Sequence, residues 1–500
     1  MRLWLVTLAA VLLTAAAVAQ NAEGPLAVSV AATPDAARMT KWLVFDLDMK
    51  YHSNYEDYEG PDGLPAKRLV SWIGAAIAIA INYDLMQCGG IWMVERSELL
   101  KTFQDLYMIR YNLDIDNAQL QAKLDLVSLD VNNAKDLNRA FGADYMVVGS
   151  FDKPSVKEVS VKLRVLTADE PFTEVAVFER TGLYEELPIL ARELSTDIMK
   201  EFGLVKRPGT ENYWAEPLTD NLEAFQWLGR AIAGGHSGKM ISFFDQAMSV
   251  DSNFYITLVE YAKVLYFEKN FETAFELLEK ATRLKPGVQL GWLRRGNAYF
   301  FAASQIGENI EFLADPGKAP EGWSLGHEDY IKFSTDPALV REYFELALQY
   351  YEKAVEVDPG FVSGWVSVAE THERLSRLFA KRAEEAPEEA AGFTALAESH
   401  AAKAAETWSH ILTVTQLSDR AYQKVALSLW GVDNAKALEY FVKAVQLNPR
   451  NQVSVINGAI LAKGLADPAA LKVFVDAFFS WADETNRHWD TFVEYSMEVN

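Results

Sequence analysis

Seven histidines, at positions 52, 236, 327, 372, 400, 410 and 488, are the residues of this 500-residue chain best suited to acid–base or metal chemistry. None stands in a His-Glu-x-x-His run and no two are four apart, so their spacing does not describe a zinc site on one helix face. The run Gly234-Gly235-His236-Ser237-Gly238-Lys239-Met240 has the outline of a phosphate loop. It lacks the chemistry: Ala233 stands for the first glycine of Gly-x4-Gly-Lys, Met240 for the magnesium-binding hydroxyl, and no strand precedes it. A turn between two helices is the expectation. Asp46-x-Asp48 and Asp114-x-Asp116 offer oxygens of the kind calcium takes, but neither continues the spacing of a calcium loop, so they read as solvated carboxylates. Cys88 is the only cysteine, which excludes an intramolecular disulfide. No acid–base pair can be named. The sequence predicts no catalytic residue, no metal and no cofactor.

What the chain offers instead is surface and export. Residues 1–19 read as a bacterial Sec-type signal peptide: Arg2, an apolar run from Leu3 to Val18, and the small-x-small site Ala17-Val18-Ala19 before Gln20. That run is too short and Ala-rich for a good membrane span. With no cysteine at the cleavage site, a lipoprotein is not expected, and the predicted location is periplasmic or secreted. No integral membrane span is expected after cleavage. The formal charge of −23 repels phosphate backbones, so nucleic acid is not an expected partner. Residues 20–39, rich in Ala, Pro and Thr, read as a linker.

Residues 40–205 alternate strand and helix patterns. Trp42 to Phe45 and Ile91 to Val94 read as buried strands, and Leu64 to Gln87 as a long helix apolar on most faces, stopped by Cys88-Gly89-Gly90. Ser97 reads as the cap of a next helix, Asn132 to Phe141 as another, and Tyr145 to Ser150 as a third strand. Val159 to Leu166 and Val175 to Phe178 predict an antiparallel hairpin, and Glu185 to Phe202 an amphipathic closing helix. Tyr51 to Gly60 reads as an exposed acidic loop with three tyrosines.

Val94-Glu95-Arg96-Ser97-x-Leu99, followed by Gly142-Ala143-Asp144-Tyr145-x-Val147-Val148-Gly149-Ser150, resembles the curli-secretion-channel (CsgG-like) superfamily, whose relatives include the N-terminal domain of TolB. The resemblance covers about 40–205. It implies a small mixed sheet with helices on one side and an envelope location. The lipidated cysteine and membrane-length hairpins of the pore-forming members are missing, so the resemblance supports the fold and not the channel.

After a second linker-like stretch, 206–216, the pattern turns helical. Ala-x4-Pro closes an apolar segment at Ala281–Pro286, Ala354–Pro359 and Ala444–Pro449, with a small residue seven positions before each. Trp292-x3-Gly296-x2-Tyr299 and Trp365-x3-Ala369-x2-His372 supply matching first halves. These positions resemble the tetratricopeptide repeat (TPR), and they predict hairpins over 217–490, with insertions near 304–336 and 380–400 and a cap at 491–500. The insertion 304–336 reads as loop with one short helix, and His372 as a packed core residue. The predicted class is α+β multidomain: an N-terminal mixed α/β sheet domain and a C-terminal all-α TPR superhelix.

In that repeat family, first-helix positions line a concave groove for peptides. Carried onto this chain they give Gln226, Arg230, Lys263, Tyr266, Arg294, Asn297 and Phe300, a locally basic, aromatic-floored strip suited to a carboxylate-bearing peptide. The reading is a non-enzymatic exported envelope protein, an interaction or assembly scaffold for a protein or peptide partner. A ring-forming accessory of a secretion apparatus, homo-oligomeric through the N-terminal domain, is the second reading. An enzyme acting on cell-envelope polymer is the third.

Overall fold

The computed structural model describes residues 39–49, 66–96, 98–99, 141–153, 155, 157–167, 173–233, 239–320, 323, 333–482 and 486–499. The tyrosine-rich loop, the leader, Ser97 and most of the helix read at 132–141 lie outside the described residues. The chain forms two compact bodies, residues 38–340 with 353–358, and residues 341–352 with 359–500.

The first body begins with a mixed sheet: β1 (Thr40–Val44), β2 (Asp48–Met49), β3 (Ile91–Met93), β4 (Tyr145–Asp152), β5 (Glu158–Thr167) and β6 (Glu174–Leu183). Its order is β3-β1-β4-β5-β6, with β2 also beside β4. β1, β2, β3 and β4 pair parallel, and β5 and β6 add antiparallel. The hairpin runs further than the alternation suggested, because exposed β6 continues to Leu183. The second quoted motif builds β4: Asp144 Oδ2 accepts the Lys41 amide at 2.6 Å, fixing the strand against β1. At Gly149 a Cβ would lie 2.7 Å from the Lys162 carbonyl oxygen, so only glycine fits there.

Two helices accompany the sheet, α1 (Ala66–Leu85) and α2 (Leu187–Glu201). Every described α1 side chain from Trp72 onward is buried. A helix packed on a sheet alone would keep a polar outer face; α1 has none because helical hairpins cover it as well.

Residues 206–216 have linker composition but are built into the body. Arg207 is 7% exposed; its Nη2 donates to Gln87 at 2.8 Å and also to Gln289. Gly209, with φ 85°, backs onto Gly287 so closely that a Cβ at Gly287 would strike the Gly209 carbonyl. Tyr213, on the short helix α3 (Glu211–Ala215), donates to buried Asp84 at 2.8 Å. Polar and glycine-rich composition marks a turn here, not a free tether.

Two helical hairpins follow, α4 (Leu222–Ala233) with α5 (Met240–Val250) and α6 (Tyr255–Phe267) with α7 (Phe271–Leu284), and then α8 (Gln289–Ala314); the next helix, α9 (Pro337–Val357), is divided between the two bodies. Most of the phosphate-loop-like run lies outside the described residues, and its last residue, Met240, opens α5. The Ala-x4-Pro signature has a physical basis: the amides of Lys285, Asp358 and Asn448 close on the carbonyls of Ala281, Ala354 and Ala444 at 2.9–3.0 Å. Asp251 closes on Ala247 in the same way at 2.9 Å, without the proline. The small side chain permits close approach between helices, and the residue after the cap leaves the helix. The tryptophan that opens the next helix donates its indole N–H back to the proline carbonyl, Trp292 to Pro286 at 2.9 Å. Part of the expected insertion is corrected: residues 304–314 continue α8 without a break. Ala302, Ile306 and Asn309 keep the buried face going, and Asn309 Nδ2 holds the Ser334 carbonyl at 3.1 Å.

The second body contains α10 (Val362–Glu385), α11 (Ala390–Val414), α12 (Asp419–Leu429), α13 (Asn434–Leu447), α14 (Gln452–Gly464), α15 (Pro468–Phe479) and α16 (Trp489–Val499). Here too the extension near 380–400 is not a loop. Both arms of one hairpin are simply long, turning at 386–389. Phe441, Phe474, Phe478 and Phe492 make a core that joins the last five helices. Trp365 donates to Pro359 at 2.8 Å, and Trp481, far downstream in the capping segment, donates to Pro449 at 2.9 Å. Among the described residues no helix is long and apolar enough to cross a membrane.

Candidate functional site

The groove positions Lys263, Tyr266 and Arg294 on α6 and α8 are brought together and covered, whereas Gln226 and Arg230 on α4 stand apart. α1 lies across α4, α6 and α8. At Gly229 of α4 a Cβ would sit 2.5 Å from the Trp72 carbonyl oxygen, so helix backbones nearly touch. At α6, Tyr83 donates to Glu260 Oε1 at 2.7 Å. At α8, Gln289 Nε2 donates to the Met86 carbonyl at 2.8 Å. From Trp72 to Met86 is about 21 Å of helix, which matches two helix–helix spacings of about 10 Å. A helix laid in a helical groove is a common mode of peptide recognition; here the helix belongs to the same chain.

The first quoted motif completes the cover. Glu95 pairs with Arg294 of α8, and Arg96 makes a two-point contact with Asp46, Nε to Oδ1 at 2.9 Å and Nη2 to Oδ2 at 2.5 Å. Lys263 lies 3.7 Å from Glu260, with 14% and 10% of the two side chains exposed. Three cations (Arg96, Lys263, Arg294) thus face three carboxylates (Asp46, Glu95, Glu260). The strip is charge-balanced, not basic. Burial opposes the charge on Glu260, but Lys263, Arg294 and the Tyr83 hydroxyl hold its pKa below the ordinary value. Burial pushes Lys263 down, with Glu260 opposing, and pushes the Tyr83 phenol well up, helped by Glu260. Such a network keeps its charges only while every partner stays in place.

The seven groove residues divide accordingly. Tyr266 is 1% and Arg294 5% exposed, and Lys263 and Asn297 lie beside them; Asn297 hydrogen-bonds Tyr266, whose ring stacks on Phe301 at 5.3 Å. Phe300 is half-buried at the edge of that ring cluster, 6.3 Å from Phe301. Gln226 and Arg230 stand apart on α4, both half-buried, with the Arg230 guanidinium over the Trp227 ring at 4.8 Å.

Two clusters in the second body were not anticipated. His372, packed as expected at 5% exposure, meets His400 with their Nδ1 atoms 2.9 Å apart. They are 28 residues apart on adjacent helices, a distance no local motif registers. On the first helices of the hairpins, Lys424 holds both oxygens of Glu373 at 2.8 Å, the Trp408 indole donates to the same carboxylate at 2.9 Å, and Arg420 pairs with Glu370. Val453 and Ile460 on α14 are 42% and 48% exposed. Among the described residues no group of three or more His, Cys, Asp or Glu is placed to hold a metal.

No family model matches the chain, and no curated protein matches it. Solved structures align with parts of it. TTC0263, a thermophilic TPR protein of Thermus thermophilus, is 16% identical over 47% of this chain and 92% of its own, with a TM-score of 0.29. Human IFIT1, solved with m7Gppp-AAAA, is 14% identical over 62% of this chain and 57% of its own, with a TM-score of 0.36. The TPR2AB domain of yeast Sti1, solved in an HSP90 complex, is 15% identical over 52% of this chain and 91% of its own, with a TM-score of 0.19. The repeat reading rests on the chain's own hairpins, caps and tryptophan contacts.

Proposed function

We propose that the protein is a non-enzymatic scaffold of the bacterial cell envelope, exported by its leader, which recruits a protein or peptide partner through its helical repeats. The observation that carries this reading is the unequal use of one surface. In the first body α1 and the Glu95–Arg96 turn occupy the groove side, so those hairpins serve to fix the N-terminal sheet. In the second body the first-helix faces of α10, α12 and α14 present paired charges and the exposed aliphatic residues Val453 and Ile460. The partner docks there. The envelope location is inferred from the sequence alone, from the leader pattern of residues 1–19 and the motif likeness of 40–205 to the curli-secretion type of domain.

The test is crosslinking capture from native envelopes with the full-length chain and with the double variant Val453→Lys, Ile460→Lys. Both positions are exposed, so stability should change little, by about 0.5 kcal/mol each. Specific capture by the parent and its loss in the folded variant are expected. Undiminished capture by the variant would remove this face from the proposal, and fractionation of the native protein with the cytoplasm would remove the envelope.

A further inference from the structure

Away from the repeats, a surface cavity of about 370 Å³ opens beside α2 and α3, lined by Arg180, Ile189, Arg192, Lys200, Trp214 and their neighbours. Two buried N–H donors of its lining residues lack a protein acceptor, Nε of Arg192 and Nε1 of Trp214. Arg192 Nη1 pairs with buried Asp84 Oδ1 at 3.0 Å. The guanidinium is held in place, over the Tyr213 ring at 4.6 Å and the Trp214 ring at 4.7 Å, while Lys206 lies 4.4 Å from the Trp214 ring. The carboxylates on the rim are already engaged. Asp197 and Glu193 bind Arg180 at 2.9 and 2.8 Å, and Glu216 binds Lys285.

Buried donors are almost always satisfied in folded proteins, and these two belong to residues that line one cavity. We propose that this cavity binds a carboxylate attached to an apolar group. A planar carboxylate matches the edge of a guanidinium and can take an indole N–H besides. Lys200 on the lining and Lys206 over the Trp214 ring add positive charge to the carboxylate-paired Arg180 and Arg192. Ile189, 50% exposed, with Pro188 and Pro217, gives an apolar wall for the attached group. A phosphate dianion fits less well, because Glu193, Asp197 and Glu216 stand on the same rim.

The carboxylate has two sources, a free small acid or the C-terminus of a peptide. Isothermal calorimetry on the full mature chain would use N-acetyl-leucine, a pentapeptide ending in leucine with a free carboxylate, the same peptide amidated, and inorganic phosphate. At least one free acid should bind, and the amide and phosphate should not; which acid binds identifies the source. Trp214→Phe keeps the ring and removes one donor, so affinity should fall about tenfold, the value of one hydrogen bond to a charged group. Lys200→Gln, an exposed change, should weaken binding by about twofold to threefold and reduce its salt dependence. Absence of binding by both acids at millimolar concentration would overturn the proposal. So would equal affinity in folded Trp214→Phe, or phosphate binding as tight as the acid.

Discussion

The first-helix surfaces of the two bodies follow the same repeat logic and end in opposite states. In the first body Lys263, Tyr266 and Arg294 are walled in by α1 and by the residues after β3. In the second, Glu370, Glu373, Arg420 and Lys424 occupy comparable helix faces and keep water on one side, with 52% of the Arg420 side chain exposed. A repeat surface is therefore not a binding site by virtue of its position. What the rest of the chain lays on it decides.

The sharpest way to break this comparison is to remove one cation from each surface. Arg294→Ala should leave Glu95 and Glu260 short of a partner in a buried network. The expected loss is about 3 kcal/mol, in the range for breaking a buried ion pair. Lys424→Ala removes a pair whose side chains are 22% and 21% exposed, and should cost less than about 1 kcal/mol. Urea unfolding of both variants measures the difference. Equal losses would mean that the two surfaces are buried alike.

Much of this was legible beforehand. The Ala-x4-Pro closures located three helix ends because each follows from a local cap and a small contact residue. The strand pattern at 145–150 and 159–166 was similarly readable from alternation. The failures share a cause, namely partners distant in sequence. Nothing around Pro208 and Gly209 tells that Arg207 will be buried against Gln87 and Gln289, 120 and 82 residues away. Repeat position points to the groove residues, but their cover, α1, reads in the sequence only as a long helix apolar on most faces. Its apolar residues on most faces were the available signal. A helix with no polar face needs two neighbours, and the second neighbour was the groove.

A smaller effect distinguishes the bodies by pH. His372 is pushed down to about 4 by burial, with His400 and Lys403 adding to the effect, and His400 is lowered by its own burial. The facing groups from α9 are Arg341, which also disfavours the His400 charge, and Glu345, which favours it. A histidine depressed in the folded state contributes stability that is present above the unfolded value of about 6.5 and lost as pH falls toward the folded value. Linkage for His372 alone gives a loss of about 2 kcal/mol between about pH 8 and pH 5. Amide exchange should therefore show α10 and α11 opening more readily at about pH 5, with His372→Asn flattening the dependence. An unchanged pH profile in that variant would take the histidine pair out of the account.

The smallest predicted effect concerns how the stack ends. Trp365 donates to the carbonyl of Pro359 six residues before it, within one hairpin junction. Trp481 makes the same contact with Pro449 from 32 residues downstream, because the helix after that proline, α14, opens with Gln452 and Val453 and carries no tryptophan. The capping segment thus reaches back to close the last junction. If the indole–carbonyl bond is what each junction requires, Trp365→Phe and Trp481→Phe should each lose about 1 kcal/mol, the usual net value of one such hydrogen bond. Phenylalanine keeps most of the ring packing, so the difference isolates the N–H. Thermal melts with a shift common to both variants would support the substitution of one tryptophan for the other. A Trp481→Phe variant that melts with the parent, beside a weakened Trp365→Phe, would show that the last junction closes by packing of Phe478 and Trp489 alone.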